Sequence, residues 1–235
     1  MQAHLKNSFS KSAHTYQAHA LIQAQVAQKL LEALEIKSLG DVMDMGCGSG
    51  HIAILMQKMG IKVERFWGVD ISQKMLELHP RVLDGMGEIC LICEDFERFC
   101  FQQYDLMIGA SSLQWARDIE SLLARVAKSC KRAAFGIYTN KSLQQLHDFL
   151  GTDSPLWSQE HLREILERYF DGRIWIERME QEFLRREDFL VHLKNSGLLG
   201  GGVLSYKQAK YFATQVPFTK ASYEILMFIG TPKKL

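Results

Sequence analysis

The chain reads as an α/β protein with a mostly parallel seven-stranded sheet, helices on both faces and a helical insert late in the chain. Three observations predict this. Apolar runs opening at Asp41 and spanning 62–70, 88–93, 104–110 and 132–138 alternate with helical stretches, and parallel strands need such crossovers. The first run stops at Asp44 and enters a loop with glycine at alternate positions, Gly46, Gly48 and Gly50. Polar residues then recur where strands end, at Asp44, Asp70, Asp95 and the SSLQW stretch after the fourth run, which is where open α/β sheets bind ligands.

Residues 10–35 carry a helical apolar stripe whose first half is polar. Tyr16, His19 and Gln23 stand at i, i+3 and i+7 and share one face. From spacing alone this is a solvated face on a covering helix, with a polar flap over a pocket as the other reading. The glycine loop should hug a ligand, because a backbone without Cβ atoms can adopt positive φ and approach closely. A helix starting near Ser49 should turn Ile52, Ile54, Leu55 and Met59 inward. Ser72 can cap a helix over 73–78, which Pro80 curtails. Further helices are expected at 118–129, 142–150 and 158–170, with a sixth strand at 173–183. Helices at 186–195 and 205–215 have no strand between them and read as an insert, before a returning strand at 222–230. No internal repeat or separate domain boundary is evident, so the expectation is one domain over 1–235. It comprises a helical cover at 1–40, a cofactor-binding core at 41–138, and remaining sheet at 139–235 with a lid at about 183–216.

A length of 235 residues, with 47% apolar and 23% charged residues, suffices for a full core. Net charge of +1 gives no whole-molecule field for nucleic acid. No apolar run has the roughly 18 residues of a membrane helix, and the N-terminus lacks a signal-peptide core, so a cytoplasmic location is expected. Five scattered cysteines, Cys47, Cys90, Cys93, Cys100 and Cys130, fit reduced thiols. Cys90 and Cys93 form a C-x-x-C inside an apolar run, without the second pair of a zinc ribbon, and are expected as buried strand residues rather than metal ligands.

The ligand follows from the loop. A dinucleotide fingerprint needs a small residue where His51 stands. The pattern D-x-G-x-G-x-G, with Asp70 falling 20 residues after Gly50, then Asp95 and the YDLM strand, resembles class I S-adenosylmethionine-dependent methyltransferases over about 42–138. That resemblance implies a Rossmann-like fold and S-adenosylmethionine as cofactor. Gly46, Cys47, Gly48 and Gly50 would hold its methionine part, and Asp44 would orient the loop. Asp70 with Ile71 would meet the ribose, Asp95 the adenine amino group and Phe96 the ring, with Ser111 completing the set.

Outside that core, TYQAHALIQ, SSLQW, LVHLKNSG and SYEILMF resemble the malonyl-acyl-carrier-protein O-methyltransferases of biotin synthesis. This implies that Tyr16, His19 and Gln23 belong to a cover over the site. Leu113, Gln114 and Trp115 would sit at its mouth, and the helices around Leu193, Lys194 and Gly197 would form a lid. Ordinary helix–sheet packing is the other reading of Trp115. The chain departs from the family pattern at Gln17, Ser111, Leu198 and around Tyr223. The implied acceptor is a malonyl carboxylate on acyl carrier protein. Carboxylates are ionised at neutral pH, so no general base is needed, and Tyr16, His19, Gln23, Gln114 and Trp115 are candidates for positioning or closure. An acidic carrier would meet basic residues such as Arg185, Arg186 and Lys194. The alternatives are another carboxyl methyltransferase, such as a trans-aconitate methyltransferase, and a non-catalytic binding protein of the same fold.

Overall fold

The computed structural model describes residues 21–196, 211 and 214–234. Strands β1 (Ser38–Met45), β2 (Lys62–Asp70), β3 (Met86–Cys93), β4 (Tyr104–Ala110), β5 (Cys130–Tyr138), β6 (Phe170–Glu182) and β7 (Lys220–Pro232) form one sheet in the order β3-β2-β1-β4-β5-β7-β6. The first five pair in parallel, and β7 runs antiparallel between β5 and β6. The chain order reverses at β1, which lies between β2 and β4, and ligand clefts open at such switch points.

Period-two alternation divides the sheet's side chains between two cores. Val42, Leu106, Ile108 and Ala134 join one, with helices α1 (Leu21–Leu34) and α2 (His51–Lys58). Met43, Met45, Met107, Ala133 and Phe135 join the other, where α4 (Ile119–Ala127) and α6 (Gln159–Tyr169) cover them. Because both faces are covered, the central strands carry apolar residues on both sides along their middles, as in Val42 and Met43 of β1 and Leu106 to Ile108 of β4. Helix α1 buries Ile22, Val26, Ala27, Leu30, Leu31 and Leu34 on one stripe. A full burial of each large aliphatic among them contributes about 1.5–3 kcal/mol. Gly136 of β5 permits the approach, since a Cβ there would lie 2.4 Å from Val26 Cγ1. Asp118 caps α4 by accepting from the Ser121 amide, worth about 1 kcal/mol.

Helices α3 (Gln73–Leu78), α5 (Gln144–Leu150) and α7 (Arg186–Ser196) complete the described set, with α7 between β6 and β7 in the chain. The expected helix at 205–215 falls mostly outside the described residues, of which Tyr211, Thr214 and Gln215 are helical.

Four local expectations are corrected. Helix α2 begins at His51, not near Ser49, because Gly50 at φ 89° keeps the loop's left-handed turn. Its buried side chains are Ile52, Ala53 and Met56. Ile54 and Leu55 are only partly covered, and Met59, past the last turn, is exposed. Cys90 is half-buried and Cys93 exposed, because β3 is the edge strand of the sheet. Ser72 takes the N-cap position of α3, but its side chain makes no capping hydrogen bond.

Candidate active site

The carboxyl ends of β1, β2, β3 and β4 open onto a cleft of about 1000 Å³, its mouth included. Its wall brings together Gln23, Asp44, Gly46, Cys47, Gly48, Asp70, Ile71, Asp95, Phe96, Ser111 and Trp115, all singled out from the sequence. Tyr16 and His19 lie outside the described residues. Three expected site residues are not on the wall, the first being Leu113, which is fully buried in the core beside Met43 and Met107 rather than at the mouth. Gly50 serves the turn, where a Cβ would strike Pro80 at 2.8 Å. Gln114 is buried, with its Nε2 donating to the Ser111 carbonyl at 2.7 Å, so it braces the turn rather than facing the cleft.

The glycine loop is wound by its own backbone. The Gly46 and Cys47 amides both donate to the Val69 carbonyl, at 2.8 and 3.1 Å, and the Gly50 amide donates to the Cys47 carbonyl at 3.0 Å. Gly46, Gly48 and Gly50 have φ of 78°, 53° and 89°, a region costly for side chains. A Cβ on Gly46 would also lie 2.5 Å from Ser112 Cβ. Ser112 Oγ donates to the Met45 carbonyl at 2.5 Å and so ties the turn after β4 to the end of β1.

Asp70 anchors the loop from the next strand. Its Oδ2 accepts from the Gly48 amide at 2.9 Å and its Oδ1 from the Ser72 amide at 2.8 Å. The anchoring expected of Asp44 thus comes from Val69 and Asp70, because the Gly48 amide points toward β2. Asp44 itself is 2% exposed, and its Oδ2 is buried without a hydrogen-bond partner among the described residues. Burial, then the Asp70 charge, pushes its carboxyl well above the usual range. Burial also raises Asp70, opposed by its two backbone hydrogen bonds.

Beyond β3, Asp95 Oδ1 accepts from the Glu97 amide at 3.0 Å, forming a tight turn that presents Phe96. Gln23 Oε1 and Ser111 Oγ are further buried oxygens without partners among the described residues, both on residues of the cleft wall. Ser111 stands at φ 67°, held by its amide's bond to the Gly136 carbonyl at 2.8 Å.

Sequence reasoning missed Ala27, Ser49, His51, Ile52, Met75, Glu97 and Ala110 as wall residues, and had Ser112 only as part of the SSLQW stretch. His51 had served only to exclude a dinucleotide; its place directly after the third loop glycine was the signal that it borders the ligand. Burial, then Lys58, lowers its pKa and favours the neutral ring.

The wall carries four carboxylates, Asp44, Asp70, Asp95 and Glu97, and no lysine or arginine among the described lining residues. Such a field favours a ligand with cationic centres. The loop leaves room where Cβ atoms would intrude, and the buried oxygens await donors, so the residues present fit a nucleoside with a sulfonium and an ammonium group.

A family model described as a methyltransferase domain matches residues 42–133. A malonyl-[acyl-carrier protein] O-methyltransferase from Priestia megaterium is 27% identical, with 90% of this chain aligned to 87% of that one. A Haemophilus influenzae protein of the same name is 29% identical over 84% of this chain and 78% of its own. Among solved structures, Haemonchus contortus phosphoethanolamine N-methyltransferase 2 in complex with S-adenosyl-L-methionine superposes with a TM-score of 0.58 at 15% identity, covering 95% of this chain and 57% of that one.

The strand order is that of the class I methyltransferase fold, and with a methyltransferase domain matched over 42–133 the chain is an S-adenosylmethionine-dependent methyltransferase. Within that class, it resembles the malonyl-acyl-carrier-protein O-methyltransferases along most of its length. No helix among the described residues is long and apolar enough to cross a membrane.

Proposed function

We propose that the protein methylates the free carboxylate of a malonyl thioester carried on acyl carrier protein, an early step of biotin synthesis, in the cytoplasm. One observation carries the acceptor assignment. The likeness to malonyl-acyl-carrier-protein O-methyltransferases extends beyond the shared methyltransferase core to 90% of the chain, and so includes segments that flank the cleft.

When bound, S-adenosylmethionine supplies an electrophilic methyl group on sulfur. The backbone of Gly46, Cys47 and Gly48 holds its methionine part, with Asp44 as a nearby counter-charge. Asp70 and Ile71 face the ribose, and each Asp70 oxygen keeps a lone pair beyond the amide it accepts from. Asp95 would accept from the adenine amino group, and Phe96 would lie beside the ring. Ser111 completes the donor set, and Trp115 and Gln23 border the acceptor side; the positioning or closing role implied for Tyr16 and His19 falls on residues outside those described. A carboxylate with a pKa near 4 enters already ionised, so the residues have only to align it with the methyl group and exclude water. Ala27, Ile52, Ala110 and Trp115 give the wall apolar surface for that exclusion.

An acidic carrier would dock near α7, where Arg185 and Arg186 precede Lys194 in the chain. Arg185 is 71% exposed at its side chain and pairs with Asp188 at 2.7 Å, which presents a guanidinium to solvent.

The test incubates the purified protein with methyl-labelled cofactor and compares malonyl carrier protein, malonyl-CoA and small dicarboxylates as acceptors. The expected result is transfer to the malonyl carrier protein at the highest kcat/KM. Transfer only to a non-malonyl acceptor overturns the assignment.

A further inference from the structure

Outside the cleft, one arginine reaches two of its wall residues from behind. Arg117 lies in the link between the turn Leu113–Trp115 and helix α4, and is absent from the cleft wall. Its Nε donates to Glu97 Oε2 at 3.1 Å, and its Nη2 stands 3.5 Å from Asp95 Oδ2. Its own amide and that of Asp118 both donate to Glu97 Oε1, at 2.9 and 3.1 Å. The segment after β3, which carries Asp95, Phe96 and Glu97, is therefore clipped to the segment after β4, which carries Trp115. Arg125 adds a second fastening, donating through its guanidinium to the Glu97 and Phe99 carbonyls and lying over the Phe101 ring at 4.9 Å.

The exposures indicate what the Arg117 clip does. Its side chain is 46% exposed, while those of Asp95 and Glu97 are 12% and 10% exposed. The backbone amides of Arg117 and Asp118 hold Glu97 whatever the side chain at 117, and the half-exposed guanidinium itself adds only modestly to stability. Its geometry is nevertheless specific. A planar fork meeting two carboxylates fixes their direction in a way that a flexible ammonium does not. Asp95 is held from behind on Oδ2 and from its own turn on Oδ1, which sets the angle at which the carboxylate faces the cleft.

We infer that Arg117 is a positioning residue for the donor site, orienting Asp95 and the Asp95–Glu97 turn so that the cofactor's adenine amino group is read. This rests on the placement of adenine at Asp95 proposed above. Arg117 touches neither reacting atom, and its influence falls on binding and base discrimination rather than on methyl transfer.

The experiment measures calorimetric binding of S-adenosylhomocysteine and S-inosylhomocysteine, the latter lacking the amino group, to the wild type, Arg117→Ala and Arg117→Lys. The wild type is expected to prefer the adenosyl ligand. Arg117→Ala should weaken adenosyl binding about tenfold, and the preference should shrink at least threefold. Arg117→Lys should recover part of the affinity but not the preference, and the melting temperature of all three should stay within a few degrees. A wild type without preference overturns the placement of adenine at Asp95. A wild type with preference that Arg117→Ala retains in full overturns the role of Arg117. A large fall in melting temperature that Arg117→Lys restores together with the preference would make the arginine a fold-holding residue and overturn the inference equally.

Discussion

The Gly48 amide donates to Asp70 Oδ2 at 2.9 Å, so the acid at the end of β2 holds the glycine loop at the end of β1. One side chain thus serves both the loop's conformation and the ligand-facing wall. Replacing Asp70 by Ala leaves the Gly48 amide without this acceptor, at a cost of about 1–3 kcal/mol. Binding of S-adenosylhomocysteine should weaken by roughly 5–150-fold or more, with a lower melting temperature in the same protein. Asp70→Asn, which keeps an acceptor oxygen, should recover much of the melting temperature and less of the affinity. Equal affinity in Asp70→Ala and wild type would remove the residue from the site.

Asp44 gives a pH-dependent prediction. Burial and the neighbouring Asp70 charge raise its carboxyl in the fold, so between its unfolded and folded pKa values the native state binds more protons. Stability of the ligand-free protein therefore falls as pH rises through that window, and the cost of the buried charge is complete above the raised value. Asp70 contributes in the same direction. Asp44→Asn removes the first of these, so the ligand-free variant should melt higher than wild type at pH 8, with a smaller gap at pH 5. It should also bind the cationic cofactor less tightly. Thermal scans at both pH values check the first expectation and calorimetry the second; identical pH slopes in the two proteins would sink the argument.

Gly46 links the two strand ends that make the cleft. A methyl group there would lie 2.5 Å from Ser112 Cβ, at a φ of 78° that alanine resists. Gly46→Ala should cost about 1–3 kcal/mol in backbone strain before the contact is counted. Cofactor binding should be lost to a greater degree than stability, because the Ser112 bridge to the Met45 carbonyl must shift. Urea titration beside calorimetry separates the two effects.

The parts of this site legible in the sequence are those built from neighbours in the chain. The apolar run ending at Asp44, the alternate glycines and the spacing to Asp70 are local patterns, and most of the residues they singled out fall together on one cleft wall. Partnership across strands was not legible. Nothing in the chain order says that Gly48 bonds to Asp70 rather than being ordered by Asp44, or that Gln114 turns back onto Ser111 while Trp115 faces the cleft. The Met56 and Met59 exchange has the same origin. Both suit an apolar helix face, but α2 ends at Lys58, so Met56 is buried within it while Met59, at its C-cap, is exposed. Cys90 and Cys93 sit in an apolar run that implied burial, but β3 proved to be the edge of the sheet, and edge position depends on strand order.

Charge reversal at the start of α7 tests carrier docking. Arg185 is already paired with Asp188, so its reversal also sets like charges three residues apart at the helix start. Arg185→Glu with Arg186→Glu should raise the KM for an acidic carrier substrate several-fold, with the difference shrinking as salt screens it. The kcat and the S-adenosylhomocysteine affinity should remain near wild type. An unchanged KM at low salt would exclude this surface.

The other end of that helix segment is fixed from inside. His192 of α7 places its Nε2 2.5 Å from Tyr223 Oη of β7, with both side chains buried. Burial pushes the Tyr223 hydroxyl far above its ordinary pKa, so it stays protonated and can donate to a neutral imidazole. Phe183 packs on the His192 ring and in turn against Phe189, and Tyr138 packs edge-on against Tyr223. Tyr223→Phe keeps the ring packing but takes from His192 Nε2 this buried partner, which should cost about 1–3 kcal/mol. The loss should fall on the α7 region first, because the strand retains its ladder to β5 and β6. Hydrogen exchange should therefore quicken in 186–193 with little change in β7 amides. Turnover should drop if α7 closes the acceptor side, while donor affinity holds. Uniformly faster exchange across β5, β6 and β7 would instead assign Tyr223 to the core of the sheet and not to the anchoring of α7.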